Sequence, residues 1–196
     1  MHTLTGLNDY LELDPDNILP GPMMIHVESP ACVKLYSKVH GPFLQRDLIM
    51  EVVPYLPNIP FNTAIDVEEF NVMLQSMFLP SRDREEILKI VGSVTDSFVK
   101  TVNDDGISQS VTIKQGVASV GNKVVPNPVE LIPYRTFQEV EQPASQFIFR
   151  MQSGRDGGLP MCRLIEADGG EWRIEAIKNV KEWFSDKTAW KIPIIA

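Results

Sequence analysis

Hydrophobic positions recur along this chain with two different periods, and the change from one to the other falls near residue 95. Two short β-prone runs come first. MMIHVES (23–29) and CVKLYSKV (32–39), separated by Ser29-Pro30, predict two strands joined by a turn. RDLIMEVVPYL (46–56) predicts a short helix that Pro54 stops or bends, and PYLPNIP (54–60) a three-proline linker. Val67, Phe70, Leu74 and Met77 then fall on one stripe at helical spacing. Asp66 is the expected N-cap of that helix, Glu68 and Glu69 suit its positive end, and Pro80 ends it. Ser81 caps a second helix whose apolar face is Ile87, Leu88, Ile90 and Val91, with Gly92 as the expected stop.

After Thr95 the period drops to two. SFVKTV and ISQSVTIKQG, joined through Asn103-Asp104-Asp105-Gly106, predict a hairpin with a tight glycine turn. Ile107, Gln109, Val111 and Ile113 share one face of its second strand. VASVGNKVV and NPVELIPY continue the pattern. SQFIFRMQ alternates cleanly, with Phe147, Phe149 and Met151 on one side and Gln146, Ile148 and Arg150 on the other. PMCRLIE, the turn ADGG and EWRIEAI predict a second hairpin, and NVKEWFSD a C-terminal helix burying Val180, Trp183 and Phe184. The final WKIPIIA is apolar enough to be packed.

The fold class that follows is α+β: a helical N-terminal region, then a mainly antiparallel β-sheet with hairpins, then a C-terminal helix. Residues 1–60 are expected to be an N-terminal arm with short strands and a short helix, and 61–196 the main domain, within what remains compatible with one domain overall. Residues 1–22 end in DPDNILPGP and read as an arm or a loosely docked segment.

Composition adds exclusions. No apolar run approaches the ~20 residues needed to span a bilayer. The start MHTLTGLNDYLELD has neither the basic nor the apolar region of a secretory signal. Cys32 and Cys162 suggest two structural thiols, with neither a disulfide framework nor a zinc site. The net charge of −8 is uneven: residues 1–100 hold 14 acids and 7 bases, residues 101–196 hold 12 and 11. Arg135, Arg150, Arg155, Arg163 and Arg173 are five of the eight arginines. A uniformly basic nucleic-acid footprint is therefore absent, but a local arginine-bearing face remains open. The asymmetry also predicts head-to-tail self-association into a homo-oligomer.

Catalytic signatures are missing. His2, His26 and His40 have no metal-ligand spacing; they read as a loose terminal residue and two structural histidines. There is no Walker A loop, dinucleotide fingerprint, HExxH or nucleophile elbow. GRDGGLP (154–160) reads as a hairpin loop because it lacks the lysine of a phosphate cradle. Asp104 and Asp105 are accounted for by turn chemistry, as are Glu166 and Asp168 around ADGG; a metal role would need a further oxygen ligand.

The segment ELIPYRTFQEVEQPASQFIFR (130–150) is unusually rich in specific polar side chains. One reading is structural: one or two helical turns between Pro133 and Pro143, with Arg135 and Glu139 as i,i+4 neighbours and Phe137 and Val140 as anchors. The other is functional: Arg135 and Arg150 present forked donors to an anion, with Gln138, Gln142 and Gln146 beside them. The candidate binding residues are Arg135, Glu139, Gln142, Arg150 and Gln109, and no catalytic residue or metal ligand is assigned.

Three blocks, DDGISQSVTIKQGV (104–117), VPNPVELIPYRTFQEVEQPASQFIFR (125–150) and IEADGGEWRIEAI (165–177), give the chain from about Glu69 onward a family likeness. It resembles the phage and prophage family typified by YfdQ, over about two-thirds of its length. The resemblance implies a bacteriophage or prophage accessory protein acting in the host cytoplasm. It brings no activity, cofactor or catalytic residue, and nothing for residues 1–60.

Together these observations favour a non-enzymatic accessory protein binding a host or phage macromolecule, in recombination and replication or in counter-defence. A protein partner is expected first and nucleic acid, through a local arginine face, second. Two alternatives stay open. One is a nucleotide or small-molecule phosphate binder using Arg135 and Arg150; the other is a metal-dependent enzyme built on Asp104, Asp105, Glu166 and Asp168.

Overall fold

A computed structural model describes residues 1–18, 21–95, 98–104, 109–115, 118–125, 127–152, 160–188 and 192–196, with side chains described outside 94–126. The expected turn at Asp105-Gly106 with Ile107, the loop residues 154–159 with Arg155, and the side chains of Asp104 and Gln109 lie outside what is described. Among the described residues the chain forms an α+β fold of four helices, with two four-stranded sheets and a three-stranded one. It divides into two compact units. The first comprises residues 1–57, 134–143 and 171–196; the second comprises 58–133 and 144–170.

The first unit is a four-stranded sheet backed by two helices. β1 (Met23–Ser29) and β2 (Cys32–Ser37) form the expected hairpin, β3 (Leu48–Val52) pairs antiparallel with β2, and β11 (Ile194–Ile195) pairs parallel with β1. The β3 segment was expected to be helical. Its apolar residues instead follow strand burial, with Val52 opposite Val33 and fully buried, and Pro54 ends the strand as readily as it would end a helix.

Of the two readings of the N-terminal residues, the structure shows a docked segment, and it is helical. α1 (Leu4–Leu13) buries Leu4, Leu7, Asn8 and Leu11 on one stripe, and the Thr3 hydroxyl accepts from Gly6 N–H at 3.1 Å as its N-cap. EWRIEAI is not a strand either. α4 (Glu171–Lys187) begins there and buries Trp172, Ala176, Val180 and Phe184 at intervals of four. Gly169 (φ 64°) and Gly170 (φ 89°) take left-handed conformations just before it, so the turn feeds a helix instead of reversing into a hairpin. The core joins Leu4, Leu7 and Leu11 of α1, Ile25, Val33 and Leu35 of the sheet, and Val180 and Phe184 of α4. Phe137 enters the same core from outside any regular element.

The second unit holds β4 (Ile65–Asp66), α2 (Val67–Met77), α3 (Arg82–Thr95), β8 (Val129–Leu131), β9 (Ser145–Gln152) and β10 (Met161–Glu166), with sheet order β4-β10-β9-β8. A three-stranded meander of β5 (Phe98–Asp104), β6 (Gln109–Gln115) and β7 (Ala118–Val125) completes it. The alternation of β9 holds: Phe147, Phe149 and Met151 join the core with Phe70, Leu74, Ile87 and Val91. Phe70 stacks on Phe149, ring centres 5.3 Å apart. Asp66 is the N-cap of α2, its Oδ1 accepting from Glu68 N–H (2.9 Å) and Glu69 N–H (2.8 Å). Gly92 does not stop α3, which runs on to Thr95.

One buried charge organises the helix pair. Arg84 of α3 is 8% exposed. Its Nε donates to Leu74 O (2.8 Å) and its Nη2 to Gln75 O (3.1 Å), two carbonyls of the last turn of α2 that have no helical partner. Nη1 reaches Glu85 Oε1 at 3.2 Å, so the guanidinium keeps a counter-ion. Arg84→Ala leaves those carbonyls desolvated, and a loss of about 3 kcal/mol in chemical denaturation is expected. Arg84→Lys, which keeps the charge but not the fork, should recover less than half of it.

Candidate functional site

The connection 134–143 leaves β8 and returns to β9, both in the second unit, yet belongs to the first. It forms no helix. A single turn closes through Val140 N–H donating to Phe137 O at 3.3 Å, so the expected i,i+4 geometry of Arg135 and Glu139 is absent. The cause is Gln142, 5% exposed. Its Oε1 accepts from Arg135 N–H (3.0 Å) and Thr136 N–H (3.2 Å), while its Nε2 donates to Phe137 O (2.9 Å) and Val140 O (3.3 Å). A side-chain amide offering the backbone these partners competes directly with helical hydrogen bonds.

Thr136, Glu139 and Arg135 also make inward contacts, whereas Gln138 and Glu141 are exposed. Thr136, fully buried, donates from its hydroxyl to Pro30 O. Glu139 Oε1 accepts from Leu4 N–H (2.9 Å) and Thr5 N–H (3.4 Å), supplying negative charge to a helix whose own first turn has no acid. Arg135 is 7% exposed, and its guanidinium carbon lies 3.9 Å from the ring centre of Trp172. These contacts account for Arg135, Thr136, Glu139 and Gln142 in structural terms.

Arg150 lies elsewhere. It sits on β9 in the second unit, on the face opposite the core, directly across from Arg163 of β10. Gln146 of the same face donates to Glu130 Oε2 at 3.3 Å. Gln109 opens β6, in register with Asp104 and Val125. Glu166 ends β10 opposite Phe147, and Asp168 Oδ1 accepts from Gly170 N–H at 2.9 Å as turn chemistry predicts. Among the described residues no group of three or more His, Cys, Asp or Glu side chains is placed to hold a metal ion.

His2, expected to be loose, has its Nδ1 2.7 Å from Val53 O and stacks on Tyr55 at 4.0 Å. His40 Nε2 meets Asp47 Oδ2 at 2.8 Å. Burial pushes the Cys162 thiol up to about 12, and burial with the nearby Glu28 carboxylate pushes Cys32 up to about 11.

One feature was not singled out in the sequence. Between β2 and β3 the chain makes a hairpin tip, Gly41-Pro42-Phe43-Leu44, closed by two backbone hydrogen bonds between His40 and Gln45 (2.9 and 3.0 Å). The stalk is braced. Arg46 Nη1 donates to Ser37 O (2.9 Å), Asp47 N–H donates to Ser37 Oγ (2.8 Å), and His40 meets Asp47 as above. At the tip, Phe43 is 82% and Leu44 76% exposed, and Leu44 has φ 53°. The left-handed region costs a side-chain-bearing residue roughly 1 kcal/mol. The legible signal was GPFL, a turn dipeptide followed by two large apolar residues between β-prone runs.

Gln142→Ala removes partners from two N–H groups and two carbonyls in a buried loop, and a loss of about 3 kcal/mol is expected by urea titration. Gln142→Glu, able to accept but not donate, should lose nearly as much. The buried Cys162 should react with Ellman's reagent at pH 8 only at the rate of global or local opening, while the half-buried Cys32 should react directly but slowly, since the thiolate is the reactive species and its population is suppressed. Comparisons with protein-family models, with curated proteins and with solved structures find no match to this chain.

Proposed function

We propose that this chain is a non-enzymatic phage or prophage accessory protein that binds a protein partner through the tip of its β2–β3 hairpin. The observation that carries this reading is the pairing of Phe43 and Leu44, both largely in water, on a stalk braced by side-chain hydrogen bonds. A scattered exposed leucine is ordinary on a protein surface. Two adjacent large apolar residues at the end of a braced hairpin, one held in a left-handed conformation, form a compact anchor of the kind that fills a partner's pocket. The resemblance to the YfdQ-typified family supports the phage context, in the host cytoplasm. The inward commitment of Gln142, Glu139 and Thr136 leaves connection 134–143 a supporting role in this reading.

The experiment is affinity capture from host lysate with wild-type and Phe43→Ser baits of equal melting temperature. A discrete partner retained by the first and lost from the second is the expected result; recovery of the same partner by both overturns the hairpin assignment. Leu44→Gly separates binding from stability. It relieves the left-handed strain, so a gain of about 0.5 kcal/mol is expected after the added unfolded-state entropy of glycine is counted. The same substitution should weaken partner binding by at least tenfold, as truncation of an anchor commonly costs more than 1 kcal/mol.

A further inference from the structure

We infer that the docking surface continues from the hairpin tip down the outer edge of β3, and that it takes an extended segment of the partner as an added strand. The inference rests on the hairpin reading and names the chemistry of what binds there. Ten large apolar side chains are exposed among the described residues, and six of them gather here. Phe43 and Leu44 are at the tip, Leu48 is on β3, Val53 and Tyr55 follow it, and Met1 lies against it. Scattered singly, such residues would need no explanation; gathered along one strand they form a surface that a partner can cover.

The backbone of that edge is open. β3 ends the sheet order β11-β1-β2-β3, and among the described residues no strand pairs with it on the side away from β2. Met1 shows how the edge accepts a strand. Its amino group donates to Glu51 O (3.0 Å) and its carbonyl accepts from Val53 N–H (2.9 Å), the pattern of a parallel pair. Glu51 therefore turns its backbone groups outward, between Met50 and Val52, which face Leu35 and Val33 of β2. The contact with Met1 covers one residue's length, and towards the tip the edge has no strand beside it. An open edge carrying apolar side chains is a template for pairing.

Charge sets the polarity of the incoming segment. The chain holds 26 acids and 18 bases, yet the stalk of the hairpin exposes Lys38 and Arg46. Among the described residues neither is in an ion pair; Arg46 donates to the neutral Ser37 carbonyl, and the one acid of the stalk, Asp47, meets His40. A segment with apolar residues at every second position and a carboxylate at its tip-proximal end complements this edge.

The probe is a displayed library of random peptides about ten residues long, the upper range of a strand, panned against the full chain. Enriched peptides that alternate apolar residues and carry an acid are expected. Once synthesised and bound, they should slow hydrogen exchange at the backbone amides of Leu48–Glu51. Leu48→Asp should weaken their binding about tenfold or more, as loss of an anchor implies. Glu51→Pro, which removes an outward donor and leaves the ladder to β2 intact, should do the same. Lys38→Glu should weaken binding and lessen its salt dependence. Should Glu51→Pro fail to fold, Leu48→Asp and the exchange pattern carry the test. The strand and the tip fail separately. Peptides released by Phe43→Ser but indifferent to Leu48→Asp, with no protection of β3, overturn the added strand and keep the tip. Peptides released by Leu48→Asp but indifferent to Phe43→Ser keep the strand and overturn the tip. Absence of any enriched peptide overturns the inference. So does a light-scattering mass of two copies with β3 already protected, which would assign the edge to a second copy of this chain.

Discussion

The amide of Gln142 is the constraint on which the first unit depends. Ten residues leave one unit, contribute to the core of the other and return, and they do so with no helix or strand of their own. Buried backbone in such a segment needs partners, or its desolvation would exceed what one phenylalanine contributes by burial. A single side chain supplies two acceptances and two good donations, and Phe137 is thereby delivered to the same core as Leu7, Ile25 and Phe184. Glu139 then extends the influence of the segment to α1 by capping it. Much of the polar density that makes this stretch conspicuous is the internal bonding of an irregular element.

Legibility followed the strength of local signals. The Asp66 cap with two glutamates behind it, and the strict alternation of Ser145–Gln152, involve several residues agreeing on one answer, and both survive in the fold. α1 was missed although Thr3, Leu4, Leu7 and Leu11 carry the pattern, because Gly6 and the proline-rich exit weaken a ten-residue helix that stands only by packing on a sheet. β3 and the start of α4 failed for a shared reason. LIMEV and EWRIEAI are short mixed segments in which both periods fit, and only tertiary burial decides between them. In the second case the decision lies in two left-handed glycines that a tight strand turn would also have used.

The arginines show the same limit at the level of the site. Sequence proximity to a conspicuous segment drew Arg135 and Arg150 together, whereas the residue that faces Arg150 across the sheet, Arg163, is set by the register of β9 and β10. No single-sequence period encodes which residue of β10 faces position 150. The hairpin tip was legible in principle, since Gly41-Pro42 followed by Phe43-Leu44 joins a turn signal to exposed apolar bulk. Its meaning depends on knowing that the stalk is braced, which only coordinates supply.

The discontinuity of the first unit bears on the order in which the protein is made. Its sheet needs Met23–Ser29 near one end of the sequence and Ile194–Ile195 near the other, and its core needs α4 as well. A nascent chain emerging from the ribosome can complete the second unit once about residue 170 is out, while β1, β2 and β3 wait with an apolar face unfilled. Such long-range closure folds slowly and leaves that face open to chaperones during synthesis. α4 and β11, made only after the second unit is complete, thus act as the latch of the first unit.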